Sequence, residues 1–575
     1  MKNTIYTVLR HQLTSKLMAA MAIGSLSCLL LAATAQAQDV IFRDGFETRF
    51  AFPNSDGEAI RFLTQATMGP RRAEAPPLRT LGYNSWIDQQ IALPPTLTWT
   101  LMQQGFPGCA GQQNCGRNER MDVWYWAALG GQDQLRQRMA WSLSQIFVTS
   151  DFGGPLEIDG DVLTRYNDLL IRGAFKPFRE LLQDVTLAPQ MAHYLTMFKN
   201  QRPDVIQNIR PDENFAREIM QLFSIGLWEL NANGSFRLDG GGNRIPTYNQ
   251  NDIRNLARVF TGWNWAGSTQ WDWGPQDWTR PIEIYRDSPA NSPDDAFGSF
   301  HDFQPKTYLG LSVPGNLTGE EDLRRALDRL ASHPNTAPFI SRQLIQRMVT
   351  SNPTPGYISR VVERWNASGG NLGEVARAIL TDVEARNGHL DPATRNIFGR
   401  LREPMLRETA LMRGFRGRAP GNRPFSDWNP ESDYFQAPFR SPTVFYFYRP
   451  DYSPPGPVAS ANYFAPEFQI TTESWIASTT SRIHSQAHGG GRVGNSNPTD
   501  YVVYDFNEEA AFRNDPTALV EHLNVKLLGG QMSDAMRALL VAHAGNVPSN
   551  IDDGYRRVRS TMALILSSTD FAIQR

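Results

Sequence analysis

Residues 211–226, PDENFAREIMQLFSIG, set Glu213, Arg217 and Glu218 on one short amphipathic run. Carboxylates beside a guanidinium are the materials of general acid/base chemistry, and equally of ordinary surface ion pairs. A second constellation, HDFQPK at 301–306, places His301, Asp302 and Lys306 in one loop. Brought against Glu213 or Glu218, that loop would complete an acid/base cleft; left alone, it is a loop stapled by its own polar side chains. The chain carries only six lysines (Lys2, Lys16, Lys176, Lys199, Lys306 and Lys526), so a lysine inside a polar motif draws notice. A third group, Trp263, Trp265, Trp271, Trp273 and Trp278, lies among Asp, Pro and Gly between residues 263 and 300. Trp271, Trp273 and Trp278 suit either stacking on the pyranose faces of a polysaccharide or packing onto a core. Cys109 and Cys115, in CAGQQNC, read as a disulfide staple in an oxidising compartment. No second cysteine or histidine pair accompanies them, so a zinc site is not expected, and no metal is assigned.

At about 100° per residue, Glu213, Asn214, Arg217, Glu218, Gln221 and Ser224 fall within an arc of roughly 140°. Phe215, Ala216, Ile219, Met220, Leu222 and Phe223 fill the rest. Asp212 is placed to cap the helix and Gly226 to stop it. Glu213 and Arg217 stand at i,i+4 spacing, worth only about 0.2–0.5 kcal/mol if exposed. Glu213 and Glu218 diverge by about 140°, so they cannot hold one ion side by side. The broad apolar arc suits a deeply packed helix. The polar strip is therefore expected to face inward, Glu213 pairing with Arg217 and Glu218 meeting Lys306 or His301.

Other motifs weigh less. His193 in MAHYL reads as a core or groove histidine, and His333 before Pro334 as a corner between helices. His484 and His488 have the spacing of helical metal ligands, but glycines follow at once. HGGG (488–491) is similar to the oxyanion loop of some esterases; the chain lacks the Gly-x-Ser-x-Gly elbow that a serine hydrolase needs. HExxH, P-loop and Rossmann fingerprints are absent, and DGD at 159–161 is too short for an EF-hand.

The elements that must position these residues are mostly helical. Residues 1–37 form an export signal, with Lys2, Arg10 and Lys16 ahead of an apolar stretch and cleavage expected after Ala37. Residues 38–57 read as a flexible lead-in, and 58–575 as one mainly α domain with minor β-hairpins. Asp133, Thr318 with Glu321, Asn335 and Asn371 are expected N-terminal caps, Asp133 for a helix reaching about Thr149. GSFRLDGGGNR (234–244) reads as a hairpin; 263–300 and 424–465 are too aromatic for linkers and are expected to fold over the helices. A composition 41% hydrophobic is that of a globular chain, and a net charge of -2 leaves no basic field for a nucleic-acid partner. No segment after the signal has the roughly 18 consecutive apolar residues of a membrane span.

DENFAREIMQLFSIG resembles the Asn-Glu-Asn-aromatic-Ala-Arg-Glu-Leu segment of domain-of-unknown-function family 1800. YNQNDIRNLARVFTGW (248–263), HDFQPKTYLG (301–310) and HPNTAPFISRQLIQRMVTSNP (333–353) are similar to further segments of that family, as is the closing LILSSTDFAIQR. They run in the same order from about Glu58 to the C-terminus. Asp212 replaces the family's first asparagine, Phe223 a frequent histidine, Asn249 a threonine, and Thr569-Asp570 a Pro-Glu pair. The resemblance implies an exported helical protein found in genomic company with the 1501 family of alkaline-phosphatase-like proteins. It implies no reaction. Two functions are therefore expected: a binding or assembly component of the cell envelope working with a 1501-family partner, or a hydrolase or lyase acting on an envelope or extracellular polymer. Its cofactor is left open.

Overall fold

Local capping explains where several helices start. Thr318 Oγ1 accepts from the Glu321 N–H at 3.3 Å and opens Gly319–Ala331. Asn371 accepts from the Glu374 N–H at 3.1 Å and opens Leu372–Thr381. Two expected caps are used differently. Asp133 precedes Gln134–Ser144 without capping it, because its carboxylate is buried and takes the Thr96 N–H (2.9 Å) and Gln137 Nε2 (3.1 Å). That helix stops five residues before Thr149. Asn335 precedes Thr336–Met348 but spends its amide on Leu230 N–H and on the carbonyls of Ile225 and Trp228. It thereby pins a short antiparallel arm bridged at Leu230–Phe236 and Leu238–Arg244, the expected hairpin.

The computed structural model describes residues 51–106, 115–152, 156–157, 160–287, 298–420, 423–488, 502–551 and 554–575. The export signal with its cleavage site, residues 38–50 of the lead-in, Cys109, residues 158–159 and the glycines after His488 lie outside the described residues. Helices dominate Pro53–Arg575, which form one compact unit. The larger core gathers Phe62, Met139, Phe178, Ile219, Leu256, Leu327, Ile345 and Ile379. A second, built mainly from later helices, gathers Tyr125, Met405, Leu411, Ile483, Leu523 and Met562. Strands form only two-residue or three-residue antiparallel pairs, among them Lys306–Tyr308 with Leu311–Val313 and Arg400–Leu401 with Ile573–Gln574. The Pro-rich aromatic segment folds inward as expected, burying Phe439, Tyr446 and Tyr448. No helix of the described residues is long and apolar enough to cross a membrane.

Candidate functional site

The 214–221 helix buries Phe215, Ala216, Ile219 and Met220 in the larger core, which leaves its polar strip along one edge. Glu213 stands at the helix start, its carboxylate shared by Arg217 (3.3 Å), Arg254 (3.7 Å) and Gln250 Nε2 (2.7 Å). Asp212, the expected cap, accepts from the Asn214 N–H at 2.7 Å and so satisfies a donor at the helix start. The Glu213–Arg217 pair forms, but at the surface: the two side chains are 32% and 39% exposed. Glu218 is buried, with Tyr194 and Tyr248 within reach of its charge, and its Oε2 has no hydrogen-bond partner among the described residues. Burial pushes its carboxyl above the usual range, and the nearby Arg217 charge only partly offsets that.

The second constellation is assembled elsewhere, on the far end of the Gln250–Val259 helix. Thr261 and Gly262 make it possible. Thr261 Oγ1 accepts from the Asp302 N–H (2.9 Å), and its carbonyl faces His301 Nδ1 (3.0 Å). Gly262 has φ 85°, and a Cβ there would fall 2.8 Å from the His301 backbone nitrogen, so only glycine lets the loop lie so close. Arg258 then grips Asp302 through two hydrogen bonds, at 2.6 and 3.0 Å. Burial alone would raise the Asp302 carboxyl; the Arg258 guanidinium outweighs it and holds the group below its ordinary value. His301 Nε2 lies 3.1 Å from Asp322 Oδ2, and the Lys306 ammonium binds that same oxygen. Lys306 also donates to the carbonyls of Asp302 and Gln304. His301, Asp302, Lys306 and Asp322 are all buried, none above 4% exposed.

The expected meeting of the strip with the 301–306 loop therefore does not occur. Glu213 is bonded to Gln250 and Arg254, and Arg258 on the same helix is bonded to Asp302, so that helix takes up the contacts of both groups. Lys306 and His301 find Asp322 rather than Glu218. Asp322 was hidden because it sits in the acidic first turn of a capped helix, where a carboxylate is ordinary. Its one available clue was a position directly beside the capping pair.

Trp271, Trp273 and Trp278 do not form the exposed, coplanar platform that stacking on a polysaccharide would need. Trp271 is buried, stacked on Phe300 with ring centroids 4.0 Å apart. Trp278 packs edge-on to Trp265, at 83°, and against His193. Only Trp273 is open, at 77% exposure. His193 stacks on Phe198, and burial lowers its pKa to about 4. Cys115 is buried beside Met102 and Val123.

Two further charge clusters escaped the sequence reading. Glu403 accepts from Trp141 Nε1 and Gln145 Nε2, each at 2.8 Å, and pairs with Arg400 at 2.6 Å; Arg400 also binds Glu467. Glu508, Glu509 and His522 bring potential metal-ligand atoms within 4.8 Å of one another. There the Lys526 ammonium stands 2.7 Å from Glu509 and 3.1 Å from Glu508, filling the position a cation would take.

The model of a family described as protein of unknown function (DUF1800) matches residues 61–573. No curated protein and no solved structure matches the chain.

Proposed function

The chain belongs to the DUF1800 family, and from that premise we propose that it is an exported binding or assembly component of the cell envelope, acting with a 1501-family partner. The observation that carries this reading is the fate of the best acid/base candidates. His301 and Lys306 are both committed to Asp322, and Asp302 to Arg258, all buried. Groups so paired hold segments together; a general acid or base must reach its substrate within roughly 2.6–3.2 Å. The export signal and the resemblance to an exported family support the envelope setting. In that compartment Cys109 and Cys115 are disulfide-bonded, and mass spectrometry of the non-reduced mature chain that found two free thiols would count against export. The test of the main reading is co-purification of the tagged chain from periplasm and culture supernatant with a 1501-family protein encoded beside it. A stable complex is expected. A chain that runs alone and cleaves an envelope polymer would overturn the reading.

One observation favours the second reading, a hydrolase or lyase acting on a polysaccharide or other polymer. Burial raises the Glu218 carboxyl above its usual range and its Oε2 has no hydrogen-bond partner among the described residues, two features that a proton-donating carboxylic acid shares. Glu218→Gln keeps the shape and removes the acid. Polymer cleavage by the parent chain and its loss in this variant would support the enzymatic reading.

A further inference from the structure

One recess among the described residues is lined by neither the 213–218 strip nor the 301–306 loop. It has a volume of about 730 Å³ and is lined by residues of the first helix (Asp56–Ala66), by His389, by the 525–531 turn and by Arg575. A second space, of about 20 Å³, shares Arg61, Gly529, Gln531 and Arg575 with it and reaches Thr64, Arg402 and Asp570. Spaces of this size suit, respectively, a small organic ligand and one or two water-sized groups.

Around the inner space arginines outnumber acids, Arg61, Arg402 and Arg575 against Asp570, while the outer recess adds Asp56, Glu58, Glu521 and Arg79. The acids are already engaged: Asp56 with Arg79 at 3.0 Å, Glu521 with Arg537, Glu58 with the Asn54 N–H at 2.8 Å, and Asp570 with the Ser533 N–H at 3.1 Å. Arg61, Arg402 and Arg575 form no ion pair among the described residues. Arg61 is 4% exposed; it donates to the carbonyls of Ala385 and Arg386, while its Nε has no partner. Arg402 is 5% exposed and its Nε also has no partner. Its guanidinium makes no side-chain hydrogen bond among the described residues and lies over the Phe571 ring at 4.6 Å. Burial, then Arg407 and Arg400, lowers its pKa to about 9. Burial, then Arg61, Arg386 and Arg575, lowers that of His389 to about 3. A buried guanidinium with no anion beside it is costly to keep, and planar N–H forks match tetrahedral oxyanions.

We propose that the recess binds a phosphate-class oxyanion, free phosphate or a phosphate monoester, with Arg61 and Arg402 as its buried charge partners and Arg575 at the rim. The inner space takes oxygens of the anion, and the outer recess leaves room for the organic part of an ester. The proposal stands apart from the partner reading above.

Titration calorimetry of the purified mature chain, in chloride buffer, with inorganic phosphate and separately with glycerol 3-phosphate tests it. Saturable single-site binding is expected, weakened about tenfold or more by Arg402→Gln and several-fold by Arg575→Ala. Tighter binding of glycerol 3-phosphate identifies an ester as the ligand, and equal or weaker binding identifies free phosphate. Arg575 is exposed, so its variant decides the matter even if Arg402→Gln fails to fold. No saturable binding of either probe, or affinity unchanged in the Arg575→Ala chain, overturns the proposal.

Discussion

Around Asp322 the fold brings His301 and the Lys306 ammonium to a single carboxylate oxygen, with Arg258 clasping Asp302 alongside. Around Arg402, equally buried, no carboxylate of the described residues comes within ion-pairing range, and Arg61 beside the same inner space donates to the carbonyls of Ala385 and Arg386. Both regions remove cations from water. In the first, the desolvation cost is answered within the chain, by partners from three separate segments. In the second it is left open beside a recess. Paired charge of the first kind fixes where a loop lies; unpaired charge of the second kind is what a ligand can answer. The lesson is that histidine, aspartate and lysine in one motif do not by themselves mark a reactive site.

The difference can be broken most forcefully at Asp322. Asp322→Ala leaves the buried Lys306 ammonium without its carboxylate and should cost about 3–5 kcal/mol in urea unfolding. A loss below about 1 kcal/mol would mean that the knot is dispensable.

Acidic groups should make stability depend on pH. Burial pushes Asp122 up to about 6, despite hydrogen bonds from Ser426 and Trp428. Burial and the Asp427 charge likewise raise Glu408. A carboxyl raised in the folded state favours folding fully below its unfolded value, here about 3.8, and that contribution disappears as pH rises through about 6. The buried His193, at about 4, works oppositely: its contribution is present above about 6.5 and fades as pH falls. Urea midpoints of the parent and of Asp122→Asn, compared from pH 4 to pH 8, should differ most in slope below about pH 6, with the variant the flatter on this account.

Arg402→Met sharpens the contrast from the other side. In phosphate-free buffer it removes a buried cation that has no carboxylate partner among the described residues, so stability should hold or rise, against a loss of several kcal/mol for Asp322→Ala. The smallest effect belongs to the exposed strip. Arg217→Ala should lower stability by about 0.2–0.5 kcal/mol, and adding salt should shrink even that.

Much of the fold was legible, because amphipathic period and capping chemistry are local. Thr318 and Asn371 stand at helix starts as their types predict. Within the aromatic segment 424–465, Phe439, Tyr446 and Tyr448 are buried while Phe445 and Tyr463 stay exposed. The i,i+4 pair Glu213–Arg217 was legible for the same reason, since one helix turn fixes it. Its setting was not. Whether Lys306 meets Glu218 or Asp322 depends on how the loop after Gly262 lies across a helix end, a matter of tertiary packing that spacing does not encode. Asp133 and Asn335 show the same limit: each stands at a helix start, yet its side chain is taken by a segment distant in sequence. The unpaired arginines were invisible altogether, because an arginine among many in a sequence gives no sign of lacking a partner.

The most direct test of the central claim, that the 301–322 charges are a structural knot, is a double-mutant cycle on Lys306 and Asp322. Lys306→Met, Asp322→Leu and the double variant would be unfolded in urea at neutral pH. Each single change should be costly and the double change much cheaper than their sum, with a coupling above about 2 kcal/mol, because removing both charges leaves no buried ion alone. Additive single effects, with coupling under about 0.5 kcal/mol, would show that the pair does not hold the fold and would return His301, Asp302 and Lys306 to candidacy as reactive groups.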